Sequence, residues 1–185
     1  MFCCKVDNRI ELRLHEERHA DALWALTEAD RAHARVFLPW VDTAKSIEDS
    51  RTYLKQSLEK FASGNGMSLG IWVDGQLVGG VGFHYFDRTH RKTEIGYWLA
   101  GWMEGQGIMT QCVARLLEYV FDELKFNRVE IRCASHNLRS RKIPERLGFT
   151  QEGVLRQAAW VNAHHEDHVV YSLLASEWFA NRVGK

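Results

Sequence analysis

Residues 93–100 form an apolar, aromatic run that reads as a strand. Within a few residues it leads into Glu104-Gly105-Gln106-Gly107-Ile108-Met109-Thr110, which opens a long helical pattern. That helix is read from Ile108, Cys112, Leu116 and Val120, with Val113 and Leu117 beside them on the same face. Glycines at such a junction let the main chain come close to a ligand with no Cβ in the way. The free amides of the helix start and the positive end of its dipole then converge on one point. This is an anion site suited to a pyrophosphate. A tight strand-to-helix turn that binds nothing has the same local sequence, so Gly-x-Gly alone decides little. The segment lacks the longer glycine pattern of a dinucleotide fold and the Gly-Lys-Ser/Thr of a nucleoside-triphosphate loop.

The rest of the chain fits around this junction. Ile10, Leu12 and Leu14 alternate with charged neighbours, a strand over 9–14. Leu23, Leu26 and Ala29 mark a helix over 16–34, and Leu38-Pro39-Trp40 ends that region because proline has no amide to continue it. A second helix begins at Ser46, with Asp49 three residues on as its capping partner. Ile47, Leu54, Leu58 and Phe61 share one of its faces, and Gly64-Asn65-Gly66 stops it. Strands over 67–73 and 76–86 meet at Asp74-Gly75, a hairpin turn. After the central helix come a strand over 127–134 and a short helix to Leu147 that ends at Gly148. A strand follows from Phe149 through Trp160, then a turn near Asn162-Ala163, a strand over 168–174 and an amphipathic tail over 176–185. Pro144 lies inside the short helix and crowds the carbonyl of Ser140, so that helix must start late or bend. The order describes one α/β domain over residues 1–185, built on a mixed sheet.

Composition narrows the function. The chain has 185 residues, enough for one domain with a real core. Lys plus Arg and Asp plus Glu each total 24, and this balance argues against a dedicated nucleic-acid binder. No stretch reaches the roughly 18 apolar residues of a membrane span, and Met1-Phe2-Cys3-Cys4-Lys5 has no leader-like apolar run. Cys3, Cys4, Cys112 and Cys133 match neither a zinc spacing nor a disulfide framework, so a reduced, cytoplasmic protein is expected.

Taken jointly, several motifs resemble the GNAT superfamily, and within it the RimJ/RimL-type acetyltransferases of ribosomal proteins. They are Glu94-Ile95-Gly96-Tyr97-Trp98-Leu99, Gly105-Gln106-Gly107-Ile108, Asn137-x-x-Ser140-Arg141 and Glu145-Arg146-Leu147-Gly148-Phe149. Glu152-Gly153 and Asp167-His168-Val169-Val170-Tyr171-Ser172-Leu173-Leu174 extend the match. The resemblance implies a mostly antiparallel sheet of about seven strands with flanking helices, splayed between the fourth and fifth. It implies acetyl-coenzyme A as cosubstrate, with no metal. The pantetheine arm would lie along the backbone of Tyr97, Trp98 and Leu99 and meet Asn137. The pyrophosphate would sit on the amides of Met103, Glu104, Gly105, Gln106, Gly107 and Ile108. Two positions depart from the family. Trp102 stands where an Arg or Gln is frequent, and Ala159 where some relatives have an acidic residue.

Direct acetyl transfer needs a neutral amine and a stabilised leaving thiolate. Glu94 is the candidate base, the alternatives being a cross-strand partner for Arg91 or Lys92 or a structural carboxylate. Ser140 is the candidate proton donor on the thiol side, the alternative being a hydroxyl that satisfies a helix-start amide. Tyr171 is a further donor candidate, otherwise a core aromatic with its hydroxyl engaged. His84 and His90 are candidate bases or water-mediated relays, otherwise surface or strand histidines. Residues 163–168, Ala-His-His-Glu-Asp-His, lack a metal-ligand spacing and read as a polar turn, with Asp167 anchoring a loop.

The first two helices, their connection and the last turn should form the acceptor pocket. Trp24, Phe37, Trp40, Tyr85 and Trp160 are candidates to line it, while Leu38 and Phe83 are expected in the core. The expected acceptor is a peptide N-terminal amine of ribosomal-protein type. The alternatives are a small amine (antibiotic, polyamine or amino-acid derivative) or a non-catalytic module that binds acetyl-coenzyme A. Seven tryptophans and nine phenylalanines, together with the family resemblance, also suggest a homodimer.

Overall fold

The computed structural model describes residues 3–183. Eight strands form one sheet in the order β1-β2-β3-β4-β5-β6-β8-β7. They are β1 (Cys3–Lys5), β2 (Ile10–Leu14), β3 (Met67–Val73), β4 (Gln76–Asp87), β5 (Lys92–Leu99), β6 (Arg128–Ala134), β7 (Thr150–Val161) and β8 (His164–Leu174). The helices are α1 (Ala20–Ala34), α2 (Ile47–Ala62), α3 (Ile108–Glu118), α4 (Leu138–Arg146) and α5 (Ala175–Val183).

Adjacent strands are antiparallel, with β5–β6 the sole exception among the described residues. That parallel pair matches only at Lys92↔Arg128, Thr93↔Val129 and Glu94↔Glu130. From Gly96 onward β5 keeps its partner in β4 but has left β6. The backbone of Tyr97 to Leu99 therefore borders an opening in the sheet on that side.

Strand alternation sends successive side chains to opposite faces. Ile71 and Val73 join α3 residues Cys112, Val113, Leu116 and Leu117 in the main core. Trp72, between them, joins Leu23, Leu26 and Leu54 of α1 and α2 in a second cluster. The helices thus cover both faces of the sheet.

Several expectations hold locally. Asp74 and Gly75 both have positive φ at the β3–β4 turn. Ser46 and Asp49 form a reciprocal capping box at the start of α2. Others need correction. β1 adds an eighth strand, since a three-residue edge strand is too short to show periodicity. β8 starts at His164, so the polar run continues a hairpin beyond its Asn162-Ala163 turn. On α2 the buried face is Ser50, Leu54 and Ser57, and Phe61 is 43% exposed. The reading of the tail over 176–185 and of the chain start extends to Gly184, Lys185, Met1 and Phe2, which lie outside the described residues.

One buried group sets a pH limit on this fold. His15 is 2% exposed, stands edge-on to Tyr53 and has an Nδ1 with no partner among the described residues. Burial first, and the charge of His19 second, hold its pKa down to about 4 from 6.5. Above pH 6.5 neither the folded nor the unfolded chain carries this proton. Between 6.5 and about 4 the unfolded chain takes it up first, so stability should fall by about 3 kcal/mol in total. Urea denaturation at pH 7 and at pH 4.5 measures this. A His15→Gln variant should lose that part of the slope; an identical slope would clear His15 of the effect.

Candidate active site

The loop after β5 is built by local hydrogen bonds. Residues Gly101–Met103 form a single 3-10 turn. In it the Met103 amide donates to Ala100 at 2.9 Å and the Glu104 amide to Gly101 at 3.3 Å. Those two amides are therefore already bonded, and the expected anion cradle over 103–108 moves along the chain. Gly107 then caps α3 in the left-handed region (φ 77°), with no side-chain cap. The first main-chain bond of α3 runs from Gln111 to Gly107 at 3.1 Å. Among the described residues, the amides of Gly105, Gln106, Gly107, Ile108, Met109 and Thr110 have no partner. A helix start left open in this way, beside the parted strands, is a ready anion site.

A cavity of about 430 Å³ occupies the opening. Of the candidate residues, Tyr97, Trp98, Leu99, Met103, Glu104, Gly105, Gly107, Ile108, Asn137 and Ser140 line it. Gln106 and Glu94 are not among its lining residues. Gln106 folds its amide back to the Trp102 carbonyl at 3.3 Å. Phe37 and Leu38 also line the cavity, so Leu38 is a wall residue rather than core, whereas Phe83 is core as expected.

Asp30, His33 and Glu104 tie the loop to α1. The buried Asp30 carboxylate accepts from the Gly101 amide at 3.1 Å and faces His33 Nδ1 at 3.1 Å. His33 Nε2 in turn faces Glu104 at 3.3 Å. Sequence reasoning missed this chain, because its members are some 70 residues apart.

Ser140 sits beside the half-buried Tyr97 hydroxyl and the buried Cys133 thiol. Its amide is capped by Asn137 Oδ1 at 3.0 Å, so the cap is Asn137 and the Ser140 hydroxyl is left for other work. Ser140 Oγ lies 3.2 Å from both Tyr97 Oη and Cys133 Sγ, and can donate to one at a time. The Tyr97 hydroxyl donates to the Ser140 carbonyl at 3.1 Å. That carbonyl lies four residues before Pro144, whose missing amide would have bonded it. α4 therefore continues through Pro144 with Tyr97 supplying the lost donor. Burial above all raises the Tyr97 pKa well beyond its ordinary value and also raises that of the Cys133 thiol, so both keep their protons. Tyr97→Phe should cost about 1 kcal/mol by orphaning this carbonyl. Denaturation midpoints for wild type and variant check it, and equal midpoints would count against the bond.

Glu94 occupies the last paired rung before the strands part. Its partner is Arg132 at 3.3 Å, rather than Arg91 or Lys92. Arg132 also binds Glu130 at 3.1 Å, and Glu130 binds Arg128 at 3.0 Å. His84 lies over Gly96, where an added Cβ would come within 2.2 Å of its Nε2. His90 is exposed in the β4–β5 turn, its amide bonded to Asp87.

The Tyr171 hydroxyl is engaged, donating to Glu145 at 2.9 Å and accepting from Arg141 at 3.0 Å. Asp167 accepts from the Gln157 amide at 2.8 Å and so holds the irregular middle of β7. His164 faces the buried Glu166 at 3.0 Å. Trp40 packs edge-on against Trp98, and Trp160 against His165. Trp24 lies beneath the Arg31 guanidinium. The Asn162 side chain donates to the Arg35 carbonyl at 3.1 Å, fastening the β7–β8 turn to the end of α1.

Parted parallel strands beside a glycine-capped, amide-open helix make a cleft able to take an anionic ligand. The comparisons place the fold. Residues 9–150 match the acetyltransferase (GNAT) domain family. The chain belongs to this family and is an acetyltransferase. It is 40% identical over 179 residues to YdaF of Bacillus subtilis (strain 168), provisionally designated a ribosomal N-acetyltransferase, covering 96% of this chain and 98% of YdaF. Among solved structures it resembles RimL, a ribosomal L7/L12 α-N-protein acetyltransferase in complex with coenzyme A. The TM-score is 0.89 at 26% identity, covering 95% of this chain and 99% of that one. The microcin C7 self-immunity acetyltransferase MccE, in complex with acetyl-CoA and AMP, gives a TM-score of 0.89 at 28% identity, covering 92% and 94%.

Proposed function

We propose that this chain transfers acetyl from acetyl-coenzyme A to the N-terminal α-amine of a protein, of the ribosomal-protein type. The observation that carries the cofactor assignment is the row of unpartnered amides over 105–110 at the end of the open strand edge Tyr97–Leu99. The similarity to YdaF and RimL supports the acceptor class.

In this reading the pyrophosphate lies on the open amides and the pantetheine arm runs along Tyr97 to Leu99. The amine attacks the thioester carbonyl, a C–N bond forms and the C–S bond breaks. Ser140 donates a hydrogen bond to the departing thiolate, and Glu94 receives the proton lost by the amine. Arg132, 3.3 Å away, holds the Glu94 carboxylate in place beside the parted strands. An α-amine near pKa 8 asks less of a carboxylate base than an alkylamine near 10.4, because more of it is already neutral at pH 7. Glu94→Gln should lower kcat by about 10- to 100-fold with coenzyme affinity unchanged. Full turnover would remove Glu94 as base.

The resemblance to MccE supports a second reading, a small amine acceptor. Thiol release and acceptor mass should be measured with N-terminal peptides, polyamines and aminoglycosides. The proposal expects the peptides to gain one acetyl at the α-amine. Turnover confined to small amines favours the second reading, and no thiol release with any acceptor favours a non-catalytic binding module.

The proposal includes a single domain over the whole chain, a cytoplasmic location and a homodimer. No helix among the described residues is long and apolar enough to cross a membrane. β7 lies at the end of the sheet order and exposes Val154, Leu155 and Trp160, an edge strand suited to a second copy. Light scattering at twice the 21.4 kDa chain mass would support the dimer, and scattering at the chain mass would reject it.

A further inference from the structure

α4 carries Arg139, Lys142 and Arg146 at i, i+3 and i+7, which places them on one helix face. All three line the cavity that holds the open amides. The nearby Arg141 is on another face, bonded to Tyr171 and the Ser135 carbonyl. Arg139 is paired with Glu104 of the loop itself, yet its side chain remains 80% exposed. Among the described residues, Lys142 and Arg146 have no carboxylate within ion-pairing distance. Apart from His33 and Tyr97, the ionisable lining of the cavity is these three cations and one carboxylate, in a chain whose formal charge is zero. Such a concentration of one sign in a cleft favours a polyanion.

The amide row and the cations face the same space and suit different anions. Main-chain amides at a helix start fit a phosphodiester-like pyrophosphate held close to the backbone. Long, unpaired Lys and Arg side chains reach farther and fit a phosphate monoester dianion. Coenzyme A carries both, a pyrophosphate and a 3′-phosphate on its ribose. We propose that Arg139, Lys142 and Arg146 form the subsite for the ribose 3′-phosphate, and so select coenzyme A over its 3′-dephospho form. The subsite does the work that a side chain at Trp102 does not: Trp102 is a 53% exposed indole with no charge to offer the phosphates. Glu104 holds Arg139 beside the loop until a phosphate competes for it.

This inference rests on the coenzyme A assignment, and the experiment separates the two. Isothermal titration should be run with coenzyme A and with 3′-dephospho-coenzyme A, on wild type and on the double variant Lys142→Ala/Arg146→Ala. The wild type is expected to prefer coenzyme A by at least about tenfold, and less so at high salt. The double variant should lose most of that preference while keeping its affinity for the dephospho form, with an unchanged melting temperature. A preference that survives in the double variant, or one absent from the wild type, overturns the subsite. Wild type that binds neither ligand overturns the subsite along with the cofactor assignment beneath it.

Discussion

Gly107→Val is expected to weaken coenzyme A binding by about 1000-fold or more. Gly107 caps α3 at φ 77°, a backbone region in which a β-branched residue is strained. No protein atom lies within 4 Å of an added Cβ, so the new side chain would project into open space. Under the proposed binding mode that space is where the phosphates approach the amides. Two effects then act together. The branched side chain blocks the approach, and relief of the strained φ turns the Gly107 and Ile108 amides away. Losing two charge-assisted hydrogen bonds at about 2 kcal/mol each corresponds to roughly 1000-fold in affinity. Calorimetry with coenzyme A measures the loss. The melting temperature without ligand separates it from strain, which should cost only about 1–2 kcal/mol. Unchanged affinity in a folded variant would defeat the loop assignment.

Ser140→Ala is expected to lower kcat by about 100-fold while leaving the coenzyme A dissociation constant within about twofold. The Ser140 amide stays capped by Asn137, and its carbonyl stays bonded to Tyr97, because both bonds involve the main chain of residue 140. α4 should therefore keep its position. What disappears is one hydroxyl in the cavity wall, 3.2 Å from Tyr97 Oη and Cys133 Sγ. The Tyr97 hydroxyl is committed to the Ser140 carbonyl, and so is a poor replacement as hydrogen-bond donor to the sulfur. Single-turnover thiol release reads the chemical step directly. A Ser140→Ala enzyme with full single-turnover rate would show that the thiolate leaves without this donor.

Sequence patterns revealed those parts of the molecule whose causes are local. The Asp74-Gly75 turn, the Ser46/Asp49 capping box and the apolar face of α3 each follow from residues a few positions apart, and each is present. What needed tertiary context stayed hidden. Bonding of the Met103 and Glu104 amides inside a 3-10 turn shifts the open donors toward residue 110, and no motif announces that turn. Pro144 predicts a broken or bent helix until Tyr97, from a distant strand, supplies the missing donor. The loop's tether to α1 depends on Asp30 and His33, which carry no signal near the glycines. The basic face of α4, with its i, i+3, i+7 spacing, passed unread in the sequence. Its relevance appears only when the fold brings that face to the cavity.

The most direct test is a crystal structure of the protein soaked with coenzyme A. The account predicts pyrophosphate oxygens within about 3 Å of main-chain nitrogens between Gly105 and Thr110, pantetheine alongside Tyr97 to Leu99, and sulfur near Ser140. Clear density for the cofactor elsewhere, or bound phosphates that make no contact with those nitrogens, would contradict it.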